Sequence, residues 1–203
     1  MIQKNISAIV FDVGRVLIDF SYDEFFAFLM EQGAHIHGVD DFIEQTKLHA
    51  YEHGHISDDE FLNNLNNLLS APLDTQLLKT KWLDLFAPMD DMQQLADRLK
   101  TRYQVYLLSN TSPLHWQHVI SHYRLADISH GMLASYEVGI MKPAPAIFRV
   151  AEQRFELRPA TTVFIDDIAD NAEAARQCGW RGIHHTTLAD TWRQLQEMGV
   201  ILD

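Results

Sequence analysis

From Pro88 onward the chain alternates between short β-branched apolar runs and amphipathic stretches. No other feature of the sequence constrains the fold as strongly. Strand-like runs fall at residues 105–108, 128–134, 162–165 and 182–185. Helical patterns fall at 95–100, after Ser112-Pro113, at 143–155, at 168–178 and at 188–198. Ser112-Pro113 reads as an N-cap with proline at the first helical position, and Gly179 as a helix stop. An earlier run, Ile6 and Ala8 to Phe11, ends abruptly at Asp12-Val13-Gly14, as a buried strand does. Strands that alternate with helices must pair in parallel, with helices on both faces. The predicted fold is a doubly wound parallel α/β core.

Residues 18–88 break this rhythm. Phe25, Phe28 and Leu29 recur at helical spacing, as do Phe61, Leu62, Leu65, Leu68 and Leu69. Ser57 with Glu60 reads as a capping box, and Asp170 with Glu173 as another. Breaks near Gly33, Gly38, Gly54 and Pro72 divide the segment into about four helices. It carries 13 acidic residues and three basic ones, against 15 and 13 in the remainder. So sharp a shift marks two regions with different roles. Residues 1–17 and 89–203 therefore form the core, and 18–88 a helical insertion after the first strand.

Composition excludes several classes. With 203 residues, 47% hydrophobic and 22% charged, the chain buries a sizeable core without staples. A net charge of −12 argues against nucleic acid or an anionic membrane as partner. One cysteine, Cys178, allows no internal disulfide and fits a reducing compartment. No apolar run approaches the ~20 residues of a membrane span. The first residues lack the apolar length and cleavage site of a signal peptide. A cytoplasmic protein acting on a small molecule is expected.

In such sheets ligands bind beyond the carboxyl ends of the strands. The strands deliver Asp12 and Gly14, then Ser109, Asn110 and Thr111, then a loop reaching Lys142, then Asp166 and Asp167. Three carboxylates repel one another unless a cation or protons intervene. Oxygen-only ligands favour a hard cation, Mg²⁺ first. Such a cation beside hydroxyls, amides and a lysine suits a phosphate, and a carboxylate there is placed to act as a nucleophile.

Phe11-Asp12-Val13-Gly14-Arg15-Val16, Leu108-Ser109-Asn110-Thr111, Gly139-Ile140-Met141-Lys142-Pro143 and Phe164-Ile165-Asp166-Asp167 resemble the four motifs of the haloacid dehalogenase-like hydrolase superfamily, in its order. The helical insertion lies where that superfamily carries a specificity cap. Within it, the chain resembles the branch that includes bacterial α-D-glucose-1-phosphate phosphatase. The shared traits are Gly14, His115-Trp116 after the Ser-Asn-Thr run, and the segment Glu52-His53-Gly54-His55-Ile56-Ser57. The resemblance implies a Mg²⁺-dependent phosphatase for a small phosphorylated metabolite. Asp12 would be nucleophile and metal ligand, and the Gly14 carbonyl a second ligand. Asp166 would bind the metal and Asp167 support it. Ser109 and Asn110 would bind the phosphoryl group, and Lys142 would neutralise Asp12 and phosphate.

One departure matters. The common phosphatase motif has a second aspartate, the general acid–base, where this chain has Gly14. Such a group is worth about 10²–10⁴-fold. Its absence favours readily leaving groups, such as an anomeric sugar hydroxyl or an acyl group. Glu52, His53, His55 and Arg15 are possible substitutes. Two other outcomes follow if the acid is truly lost or the metal unused: a catalytically weak module that binds a phosphometabolite or protein, or a metal-independent 2-haloacid dehalogenase. The Asp166-Asp167 pair argues against the dehalogenase, and the retained nucleophile against the binder. Most of the 11 histidines read as surface or polar-core residues, with His53, His55 and His115 the exceptions. Asn171 reads as an undecided neighbour of the metal site.

Overall fold

The computed structural model describes residues 5–202; residues 1–4 and 203, assigned by sequence to the core, lie outside the described residues. Five strands form one parallel sheet: β1 (Ala8–Phe11), β4 (Gln104–Ser109), β5 (Gly131–Ala134), β6 (Thr162–Asp166) and β7 (Arg181–His184). Their order is β5-β4-β1-β6-β7. The central strand β1 pairs Phe11 with Leu107 on one side and with Ile165 on the other. This brings the chain segments after Phe11, Ser109 and Asp166 to one edge.

The alternation of strand side chains explains the layers. Ile9, Phe11, Val163 and Ile165 pack with Leu95 and Leu99 of α6 (Asp90–Lys100), with Val119 of α7 (Pro113–His122) and with Leu195 of α11 (Leu188–Glu197). Val10, Leu108 and Phe164 face the other way. They meet Ile147 and Phe148 of α9 (Pro145–Phe155) and Ala175 of α10 (Ala169–Gln177). Strands with two buried faces read as continuous apolar runs, which is how these strands appear in the sequence. The doubly wound reading holds.

The inserted lobe contains α1 (Asp23–Glu31), α2 (Val39–Thr46), α3 (Leu48–Glu52), α4 (Asp58–Asn67) and α5 (Thr75–Leu83). That is one helix more than the sequence pattern suggested. The five-residue α3 has too few turns to show a period of its own. The lobe enters and leaves through a two-stranded antiparallel ladder, β2 (Ile18–Phe20) with β3 (Phe86–Pro88), which pairs Phe20 with Phe86. Phe25, Phe42, Phe61 and Trp82 form its fully buried aromatic centre, and Leu114 of α7 packs into the same cluster. Each such side chain contributes about 1.5–3 kcal/mol on burial.

Ser57 caps α4 by accepting the Glu60 N–H at 3.2 Å, but the Glu60 carboxylate pairs with Lys47 instead of closing a capping box. Ser112 caps α7, Pro113 follows at the first position, and Gly179 takes the left-handed conformation after α10. The expected Asp170–Glu173 box does not form. The N-cap of α10 is Ile168, and Glu173 instead pairs with Arg176 and Gln177.

Candidate active site

The carboxyl ends of β1 and β6 place Asp12 and Asp166 side by side because their strands are adjacent. Lys142, in the loop between α8 (Ser135–Val138) and α9, reaches between them. Its Nζ lies 2.8 Å from Asp12 Oδ1 and 2.7 Å from Asp166 Oδ2, with all three residues buried. Burial alone would lower the Lys142 pKa, but the Asp12 and Asp166 carboxylates hold it above its ordinary value. The two carboxylates thus favour the charged ammonium of Lys142 despite its burial.

Burial pushes the Asp12 carboxyl upward, with Lys142 opposing and Asp166 adding to the rise. Asp12 Oδ1 also accepts the Val13 N–H at 2.7 Å, while its Oδ2 has no hydrogen bond among the described residues. Asp166 is held on both oxygens: Oδ1 accepts from the Ile168 N–H at 2.8 Å and from Asn171 Nδ2 at 3.0 Å. Asn171, left undecided by the sequence, thus orients Asp166. Asp167 is half-buried and its pKa is raised, by burial first and then by Asp166. Single carboxylate oxygens of Asp12, Asp166 and Asp167 lie within 4.8 Å of one another. This cluster has only hard oxygen donors, with no imidazole or thiolate, and so fits a hard divalent cation.

The Ser109–Thr111 loop closes the next side. Ser109 is buried, and among the described residues its hydroxyl makes only a 3.5 Å contact with the Asn110 carbonyl. Asn110 Nδ2 donates to the Lys142 carbonyl and its Oδ1 accepts the Lys142 N–H, both at 2.8 Å. This side chain, expected on phosphate, clasps the backbone of Lys142, whose ammonium is held by Asp12 and Asp166. Thr111 is tied by its N–H to Ser135 Oγ at 3.0 Å.

A cavity opens beside Gly14 and Ser109 and runs under the inserted lobe. Its far wall includes Phe20, Tyr22, Glu52 and Phe86. His115 lines it as well, stacked on Trp82 at 4.3 Å and donating from Nε2 to the Trp82 carbonyl at 3.0 Å. Burial pushes its pKa down to about 3, with the Trp82 bond opposing and nearby His118 adding to the fall. His53 and His55 do not line the cavity: they stack on each other, and His53 Nδ1 binds the His49 carbonyl. Sequence reasoning missed Phe20 and Tyr22, whose only signal was their nearness to a glycine-bearing motif.

A family model for haloacid dehalogenase-like hydrolases matches residues 6–179. A D-ribitol-5-phosphate phosphatase of Bacteroides thetaiotaomicron is 33% identical over 208 aligned residues, covering 98% of this chain and 99% of the relative. A sesquiterpene phosphatase of Aspergillus oryzae is 25% identical, covering 94% of this chain and 95% of the relative. The crystal structure of a family enzyme from Bacteroides thetaiotaomicron, in complex with magnesium and inorganic phosphate, superposes with a TM-score of 0.81. It is 25% identical and covers 94% of this chain and 99% of that one. On this evidence the chain belongs to the haloacid dehalogenase-like hydrolase family.

Proposed function

We propose that the protein hydrolyses the phosphate monoester of a small sugar or polyol through a phosphoryl group carried transiently on Asp12. The observation that carries this reading is the buried Asp12–Lys142–Asp166 chain, with Asp167 beside it. A buried lysine between two carboxylates costs desolvation, and well-packed apolar groups often serve stability as well. Its use is to keep a carboxylate nucleophile and an incoming phosphate dianion in one water-poor place.

In this reading Asp12 attacks phosphorus through its unbonded Oδ2. Lys142, its backbone clasped by Asn110, offsets the charge that accumulates on the phosphoryl oxygens, and the Ser109 hydroxyl binds one of them. Asp12, Asp166 and the Gly14 carbonyl would hold Mg²⁺, with Asp167 supporting it. The ion would lower the repulsion between Asp12 and the phosphate. Residues 18–88 would act as the cap that covers the leaving group, over a core of 1–17 and 89–203.

The sugar or polyol class is supported by the 33%-identical relative, which acts on D-ribitol 5-phosphate. The finer expectation of an anomeric phosphate such as glucose 1-phosphate rests on Gly14 alone.

The test is phosphate release in Mg²⁺ from ribitol 5-phosphate, glucose 1-phosphate, glucose 6-phosphate, an acyl phosphate and a nitrophenyl phosphate, with Asp12→Asn as blank. Turnover that vanishes in Asp12→Asn supports the reading. Undiminished release by Asp12→Asn would refute it. Preference for the anomeric or acyl ester would support the leaving-group argument, and preference for ribitol 5-phosphate would mean that an acid is supplied from elsewhere.

A further inference from the structure

Position 14 lacks an acid, and a side chain there would press on the ring of Phe20. A Cβ on Gly14 would lie 3.0 Å from Cε1 of Phe20. The Phe20 ring is itself wedged between the Arg15 guanidinium, 5.0 Å above it, and the rings of Tyr22 and Phe86. A side chain at position 14 would therefore require the Phe20 ring to give way by a few tenths of an ångström. A proton for the leaving oxygen must then come from another wall of the cavity.

Among the described residues lining that cavity, three titrate: Tyr22, Glu52 and His115. The Nε2 proton of His115 is already donated to the Trp82 carbonyl, and the ring is held neutral. Tyr22 is made a weaker acid, by burial first and by the Glu52 charge second, with Arg15 opposing. Arg15 cannot release a proton near neutral pH. Glu52 remains. Its side chain is only 17% exposed, with His49 at 3.5 Å on its own helix and Tyr22 facing it from the start of α1. Its main chain is fixed to the core. Ser135 Oγ donates to the Glu52 carbonyl at 2.6 Å and accepts the Thr111 N–H at 3.0 Å. One buried hydroxyl thus locks the backbone of Glu52 to the loop that holds Ser109.

Resting on the phosphatase reading above, we infer that Glu52 is the general acid–base of this enzyme, delivered from the inserted lobe in place of position 14. The first step uses Glu52 in its protonated form. As Asp12 Oδ2 bonds to phosphorus, the bond from phosphorus to the ester oxygen breaks. That oxygen keeps the electron pair and takes the Glu52 proton, leaving as a neutral alcohol. The Glu52 carboxylate then removes a proton from water as the water oxygen attacks phosphorus. The phosphorus–Asp12 bond breaks, giving phosphate, free Asp12 and protonated Glu52.

The experiment compares wild type, Glu52→Gln and Glu52→Asp in the full chain with Mg²⁺. The substrates are phenyl phosphate, nitrophenyl phosphates and ribitol 5-phosphate. None of the aryl esters has a hydroxyl on its leaving group for Glu52 to bind. A general acid matters most for the poorest leaving group. Glu52→Gln should lose about 10²–10⁴-fold in kcat/KM on ribitol 5-phosphate and less than about 3-fold on the most activated aryl ester. Its kcat/KM should fall steeply as the leaving phenol becomes more basic, and the activated ester should show a burst of phenol because dephosphorylation is slowed. Glu52→Asp should give an intermediate slope. If Glu52→Gln does not fold, as judged by thermal unfolding, the Glu52→Asp slope carries the test alone. Equal loss across the aryl series, or a loss confined to ribitol 5-phosphate with an unchanged aryl slope, would overturn the inference and leave Glu52 structural or a hydroxyl acceptor. Release from no ester by wild type would overturn the phosphatase reading itself.

Discussion

His115 makes acid stability a sensitive test of how the lobe sits on the core. The ring is buried between Trp82 at 4.3 Å and the edge-on ring of Phe86 at 4.9 Å, and its Nε2 donates to the Trp82 carbonyl. Its folded pKa is pushed down to about 3 from an ordinary 6.5. Between those values the unfolded chain binds a proton that the folded chain refuses. Stability from this site is therefore complete above about pH 6.5 and falls as the pH drops towards 3. Each pH unit in that window is worth about 1.4 kcal/mol, so moving from pH 7 to pH 5 should cost about 2 kcal/mol at this site. The assay is urea unfolding at both pH values in a chelator, so that metal release does not overlie the effect. His115→Gln keeps a donor for the Trp82 carbonyl but cannot titrate. It should be less stable at pH 7, yet lose about 2 kcal/mol less than wild type on acidification. His185, also lowered by burial, is present in both proteins and cancels. Parallel losses in the two proteins would refute the claim that His115 is held neutral by its seat under the lobe.

Three further outcomes follow from the geometry. Lys142→Met leaves the buried Asp12 and Asp166 unpaired, so it should abolish turnover and cost about 3–5 kcal/mol in metal-free thermal or urea unfolding. Gly14→Asp alone should destabilise the protein by about 1–3 kcal/mol without restoring an acid, and Phe20→Ala in the same chain should relieve that strain. Gly54→Ala would place a Cβ 2.4 Å from the Tyr136 carbonyl oxygen at a residue with φ +71°, so it should cost more than about 2 kcal/mol and make the lobe more susceptible to limited proteolysis.

The core was legible because its signals are local. Strands β1, β4 and β6 are short apolar runs that end just before Asp12, at Ser109 and at Asp166, and a parallel sheet sends all those ends to one edge. Strand β5 is three residues shorter than expected, since residues 128–130 precede the ladder with β4. The roles that depend on hydrogen-bond partners were not legible. Asn110 has the residue type of a phosphate ligand, but its amide is turned onto Lys142, 32 positions away. Asn171 gave no signal beyond its nearness to Asp166, yet its Nδ2 fixes that carboxylate.

The lobe shows why such readings stop where they do. Its helices announce themselves by period, but its effect on the site comes through long-range register. Phe20 reaches Gly14 because β2 pairs with β3, which sets Phe20 opposite Phe86. Glu52 reaches the cavity because Ser135, 83 positions later, holds its carbonyl. Leu114 of α7 lies in the lobe's own apolar cluster, and the Leu114 N–H donates to Tyr51 Oη at 3.3 Å. A lobe attached only at its two entry strands would be free to swing as a unit. This one is fastened by α7, by the Ser135 hydroxyl and by the tight approach of Gly54 to Tyr136, all on the side that carries the Ser109–Thr111 loop. Access to the cavity through a rigid-body swing would have to break those bonds together. Movement of the lobe that left those contacts intact would keep the Glu52 backbone and the Ser109–Thr111 loop at a constant separation. An acid delivered from a lobe needs that constancy, because proton transfer to the leaving oxygen works only at hydrogen-bond distance.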